Sequence, residues 1–114
     1  MCVTVTQKFT NSPRPLILIK GDEAQFNCTS EGSPTPKISW KYLRRGFDEL
    51  VDKPSPWDNQ GRTKVLPNNT LVIKDVNNDD EGEYVCFSDS PGLLVNQTAR
   101  LVVYSKSSVI VVIY

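Results

Sequence analysis

The sequence predicts an all-β fold, an antiparallel β-sandwich of roughly seven to nine short strands in two sheets. Three observations lead there. Apolar and polar residues alternate with period two along most of the chain, and no convincing amphipathic helix interrupts them. Cys28 and Cys86, far apart in sequence, each lie inside such an alternating run, which suits a bridge between two packed sheets. Trp40 stands between them, and burying a ring of that size removes on the order of 150–250 Å² from water.

The strands can be taken in order. Val3 to Phe9 alternates weakly before Asn11-Ser12-Pro13-Arg14-Pro15 breaks it, and Leu16 to Lys20 reads as a short strand ended by Gly21-Asp22. Ala24, Phe26 and Cys28 then face one way, with Gln25, Asn27 and Thr29 facing the other. Ser30 to Pro36 reads as a turn-rich link. Ile38 and Trp40 resume the inward line, with Ser39 and Lys41 outward. Arg44 to Gly61 is irregular, with Glu49-Leu50-Val51 as a short edge strand. Thr63–Leu66 and Thr70–Lys74 form a hairpin about Pro67-Asn68-Asn69, and Leu71, Ile73 and Val76 make its inward line. An acidic turn, Asp75 to Glu81, precedes a strand from Glu83 to Ser88. Asp89-Ser90-Pro91-Gly92 turns the chain into a last long strand, Gln97 to Tyr104, with Ala99, Leu101 and Val103 inward.

Composition narrows the function. Thirteen basic and 13 acidic residues give zero formal charge, so the attraction that drives binding to nucleic acid or to an anionic membrane has no source. Histidine is absent, which removes the usual general base and the commonest metal ligand. No cysteine has a basic partner motif that would activate it. The expectation is a protein that is not an enzyme, with no cofactor, no metal and no small-molecule substrate. The 114 residues suit one domain, here placed at 1–104, with 105–114 as a linker or the start of a following segment. Neither a secretory signal nor a run of about 20 apolar residues is visible, and the chain reads as a segment of something larger. Cys2, the odd cysteine, either is a boundary residue or pairs outside the domain.

A second motif sharpens the fold. Asp80-x-Gly82-x-Tyr84-x-Cys86 is a tyrosine-corner pattern, in which the phenol bonds back to the chain at the turn. With it, the segments Gly32-x-Pro34-x-Pro36-x-Ile38-x-Trp40 and Gly61 to Cys86 resemble the I-set of the immunoglobulin superfamily, over about Leu16 to Tyr104. The resemblance implies a Cys28–Cys86 disulfide under Trp40, with Leu71, Ile73 and Tyr84 in the core. It also implies an ion pair between Arg62 and Asp80 closing the bottom of the sandwich. I-set domains occur in adhesion molecules, guidance receptors, receptor kinases and sarcomeric proteins. The implied function is therefore a non-catalytic recognition module of a cell-surface protein, or alternatively a spacer in an intracellular titin-like array. A long cross-link of this kind stabilises by roughly 4 kcal/mol and persists in oxidising compartments. An extracellular location follows, with contact to membrane only through a parent chain.

Site expectations complete the reading. Sequons begin at Asn27, Asn68 and Asn96, the first outward on its strand and the other two at turns. Asp75, Asn77 and Asp79 meet the first spacings of a calcium loop. The required glycine would fall on Asp80 and the closing glutamate on Cys86, so the loop reads as a solvated turn. Lys41, Arg44, Arg45 and Lys53, diluted by Asp48, Glu49 and Asp52, read as a solvated edge. Val85 and Phe87 fall on the outer face of the sheet holding strands C, F and G in the family's lettering, and Leu93 and Leu94 follow the F–G turn. These four are the expected contact area for a protein partner, either another surface or secreted protein or a second copy of the chain. Phe47, Leu50 and Trp57, in the irregular segment, either mark a protein-binding site or fold back over the sandwich edge, and folding back is the expectation for Trp57.

Overall fold

Alternation becomes two layers in the structure, a computed structural model that describes residues 6–53 and 61–105. Its strands are β1 (Thr6–Asn11), β2 (Leu16–Ile19), β3 (Ala24–Phe26), β4 (Thr29–Ser33), β5 (Lys37–Arg44), β6 (Leu50–Asp52), β7 (Thr63–Val65), β8 (Leu71–Ile73), β9 (Gly82–Ser90) and β10 (Leu93–Tyr104). One layer is a five-stranded sheet in the order β2-β10-β9-β5-β6; the other is β3-β8-β7, with β1 and β4 paired beside it. Cys2 and Trp57 lie outside the described residues, as does most of 105–114.

Three departures from the sequence reading matter. The segment read as a link contains β4, which pairs antiparallel with β1 (Thr6 opposite Ser33, Phe9 opposite Ser30). Small polar residues with weak strand preference are held there by the neighbouring strand, because context outweighs β-propensity. The sandwich is also not wholly antiparallel, since β2 runs parallel to β10 with Leu16 opposite Leu101 and Ile19 opposite Tyr104. The chain leaves β1 at Ser12–Pro15 and enters the other layer at its edge, and Pro13 and Pro15 cannot donate to a ladder, which suits them to that crossing. Finally, β10 begins at Leu93, directly after a two-residue Pro91-Gly92 turn, so Asn96 lies within a strand. Pro followed by a glycine at φ +76° is the residue pair a type II turn requires.

Between the layers, Cys28 and Cys86 are bonded, with Cα atoms 6.4 Å apart and a sequence separation of 58. Trp40 sits directly opposite Cys86 in the β5–β9 ladder, and its indole N–H donates to the Asn69 carbonyl at 3.0 Å. Asn69 takes a left-handed conformation at the tip of the β7–β8 hairpin, which places that carbonyl. An aromatic stack continues the core: Phe26 to Tyr84 at 4.8 Å and Tyr84 to Tyr42 at 4.7 Å between centroids. Leu71, Ile73, Val76, Leu101 and Val103 are buried around it. Val72, on the other face of β8, is buried as well.

The two ends of the sandwich are closed by different chemistry. At one end the Tyr84 hydroxyl donates to the Asp80 carbonyl at 2.6 Å, across a single 3-10 turn at Asn78–Asp80. The Asp80 carboxylate accepts two bonds from Arg62, at 3.0 and 3.2 Å, and a third from the Asn77 N–H at 2.8 Å. Tyr42 points its hydroxyl at the carbonyls of Glu81 (2.6 Å) and Asp79 (2.7 Å). Burial, followed by the Asp80 charge, pushes its pKa above the usual tyrosine value, so the phenol stays a donor. At the other end the groups are neutral. Buried Ser88 lies 2.7 Å from the Ser30 hydroxyl and donates to Gln7 Oε1, while Gln7 Nε2 donates to the Leu93 carbonyl at 2.8 Å. The Ser33–Pro34 bond near this end is cis.

Gly82 opens β9, directly opposite Arg44 at the end of β5. Its φ is +150°, and a Cβ there would overlap the Leu43 carbonyl oxygen and come within 2.9 Å of Tyr42 Cε1. The glycine of the corner motif is thus required by close backbone approach as well as by conformation.

Candidate interaction surface

The outer face of the five-stranded sheet follows from ladder register. Across it run the rows Leu50–Leu43–Glu83–Arg100, Asp52–Lys41–Val85–Thr98, Ser39–Phe87–Asn96 and Lys37–Asp89–Leu94. Each row is a set of directly opposed residues sharing one face.

The four expected contact residues do not form one patch. Val85 does face outward, but it lies mid-sheet between Lys41 and Thr98 and is only 7% exposed. The long stem of Lys41, whose ammonium reaches Asp52 at 3.6 Å, belongs to the same row. Phe87 is half-buried. Leu94 is well exposed at 59%, while Leu93 alternates with it and so falls on the inward side, opposite Ser90. The sequence reading placed both leucines in a loop, where alternation has no meaning; in a strand they must separate.

A different concentration of apolar surface appears at the Gly82 end. A groove of about 450 Å³ is lined by Leu43, Phe47 and Val102 together with Arg44, Arg45, Arg100, Glu81 and Glu83. Phe47 does not fold back: the residue is 60% exposed, with the Arg44 guanidinium 5.0 Å from its ring centroid. Leu50 on β6 is exposed beside it. Each guanidinium has a carboxylate: Arg44 with Asp79 at 2.8 Å, Arg45 with Glu81 at 3.1 Å and Arg100 with Glu83 at 3.5 Å. Glu81 is held in turn by the Val103 N–H at 2.8 Å. Such a groove offers apolar contact framed by balanced charge, which fits a protein surface better than a free anion. It presents no nucleophile beside a base.

The basic group read as a solvated edge is only partly so. Lys53 is buried, its ammonium 5.2 Å from the Tyr42 ring centroid and its backbone N–H donating to the Trp40 carbonyl at 3.1 Å. Leu43, Arg100 and Val102 were missed as surface groups. Extending the outward alternation of β5 past Lys41 and that of β10 past Thr98 would have found them.

Exposure is lopsided between the layers. Among the described residues, the large exposed apolar groups Ile17, Phe47, Leu50, Leu94 and Tyr104 belong to the outer face of the five-stranded sheet or the loop beside it, Val51 and Leu93 to the margins of its inner face, and Val65 to the three-stranded sheet. Two sequons sit by that second sheet and touch one another, since the Thr70 hydroxyl donates to Asn27 Oδ1 at 2.8 Å. Asn68 Oδ1 accepts from the Thr70 N–H at 3.2 Å. The third sequon, at Asn96, lies on the opposite outer face.

Comparison with known proteins agrees with this architecture. The chain is 34% identical over 106 residues to inactive tyrosine-protein kinase 7 of Gallus gallus, a match covering 93% of this chain and 9% of that protein. It is 36% identical over 104 residues to the cell adhesion molecule DSCAM of Homo sapiens, covering 90% of this chain and 5% of that one. The chain therefore spans less than a tenth of the length of these relatives. Extracellular domains 3-5 of Drosophila OTK superpose with a TM-score of 0.71 at 28% identity, over 87% of this chain and 32% of that one. A chimeric titin Z1Z2 structure gives 0.71 at 22% identity, over 93% of this chain and 100% of that one, which shows the shared fold. The family model of the immunoglobulin I-set domain matches residues 7–103, and the chain belongs to that family.

Proposed function

We propose that the chain is a non-catalytic, extracellular recognition module that binds a protein partner through the outer face of its five-stranded sheet, centred on the groove at the Gly82 end. The observation that carries this reading is the one-sided distribution of exposed apolar groups. Soluble surfaces seldom gather such groups without a use, and an aromatic anchor framed by arginines resembles the hot regions of protein interfaces. The partner is a surface or secreted protein, a second copy of this chain included. Relatives that are cell adhesion molecules support that class of partner. The disulfide and the three sequons support an oxidising, glycosylating compartment. An array spacer would have little use for either feature.

The test is a comparison of Phe47→Asp with Val65→Asp, both exposed and on opposite layers. The full chain, secreted from a eukaryotic host, is assayed for self-association by sedimentation and for binding to an array of purified ectodomains. Phe47→Asp is expected to weaken the interaction at least about tenfold with an unchanged melting temperature, and Val65→Asp to leave it intact. Equal effects of the two variants, or no interaction in either assay, would overturn the reading.

A further inference from the structure

Asn96 differs from the other two sequon asparagines in its surroundings. Asn27 and Asn68 are engaged through Thr70, which is itself buried, and the Thr29 hydroxyl lies 2.6 Å from that of Thr10. Asn96 and Thr98 are both exposed, two apart on β10, and so present the acceptor amide and its hydroxyl on one face. Directly opposite Asn96 is Phe87, and beyond Phe87 in the same row is Ser39, a small residue. Directly opposed side chains on a sheet have Cβ atoms about 4.5–5.5 Å apart. A sugar attached to Asn96 therefore starts within reach of a partly exposed ring, with the small Ser39 directly on its far side.

We infer that Asn96 carries an N-linked glycan whose first N-acetylglucosamine lies across Phe87, closing the middle of this face and leaving the Gly82-end groove as the open binding area. The inference rests on the extracellular reading above. In the modification, a bond forms between Asn96 Nδ2 and the anomeric carbon of the sugar. The glycosyl–phosphate bond of a lipid-pyrophosphate-linked oligosaccharide donor breaks, the lipid pyrophosphate leaves with the electron pair, and the amide nitrogen releases one proton. One face of the pyranose is a layer of C–H groups, and the negative face of an aromatic ring attracts it while both surfaces leave water. Phe87 gains a cover that the protein chain does not supply.

The full 114-residue chain, secreted from a eukaryotic host, is trimmed enzymatically to one sugar per site and compared with N96Q, Phe87→Val and the double variant. Mass spectrometry reads occupancy, and NMR reads the ring protons of the Asn96-linked sugar. Occupancy at Asn96 is expected, with those protons shifted upfield by the Phe87 ring and returned to ordinary positions in Phe87→Val. The trimmed wild type should melt roughly 4 °C above N96Q, and that gain should vanish in the Phe87→Val background. Occupied Asn27 or Asn68 with bare Asn96, or an occupied Asn96 without ring-shifted protons, overturns this inference and leaves the extracellular reading standing. No occupancy at any of the three sequons overturns the extracellular reading, and this inference with it.

Discussion

The two ends of the sandwich solve the same problem with opposite chemistry. At the Asp80 end, an arginine, a buried carboxylate, two tyrosine hydroxyls and a capping turn meet in fixed directions. At the Ser88 end, two serines and a glutamine share hydroxyl and amide bonds between β1, β4 and β9. The charged end leaves a motif in the sequence because each member is irreplaceable: a carboxylate in that position needs a guanidinium, and the start of β9 against β5 needs a glycine. The neutral end leaves none, since Ser and Gln are common surface residues whose burial depends on what packs over them. The lesson is that motif strength follows the cost of leaving one partner unmatched.

Substitutions can break that contrast. Gly82→Ala should be the most damaging, on the order of 4 kcal/mol or more, because the added carbon overlaps the Leu43 carbonyl. Gly92→Ala, also at positive φ but with open space around it, should cost only about 1 kcal/mol. Urea denaturation of the pair separates overlap from backbone strain, and equal losses would refute the steric account of Gly82. Next comes Arg62→Ala, which strips the buried Asp80 of its main partner while the Asn77 N–H remains. A loss of about 3 kcal/mol is expected by the same measurement. A loss below about 1 kcal/mol would make this pair equivalent to a surface ion pair. Ser88→Ala should be milder than Arg62→Ala, about 1–2 kcal/mol, because Ser30 and Gln7 can turn toward each other or admit water. If Ser88→Ala proved as costly as Arg62→Ala, the neutral end would be as exacting as the charged one.

Much of the fold was legible because period-two alternation is local. Ala24, Phe26 and Cys28, then Leu71 and Ile73, then Ala99, Leu101 and Val103 are each buried where alternation placed them. Alternation fails where a strand is assigned as a turn. Reading Asp89–Gly92 as the whole turn and starting the last strand at Gln97 merged Leu93 and Leu94 into one loop patch, and put Asn96 in a turn when it faces Phe87. Val85 shows the other limit: its face was legible, but its exposure depends on the heights of Lys41 and Thr98 on neighbouring strands. The groove was out of reach for a related reason, since its lining comes from three separate stretches of chain, 43–47, 81–83 and 100–102.

The sequence by itself determined the inward faces of most strands, the partners of the bridge and the corner around Tyr84, because each is written in local spacing or in a residue type with few substitutes. The tertiary structure alone decided that β2 lies parallel to β10, that Ser30–Ser33 is sheet, and which outward residues meet solvent. Those outcomes depend on what lies across a ladder, and a side chain's exposure is set by the height of neighbours that the linear order does not place beside it.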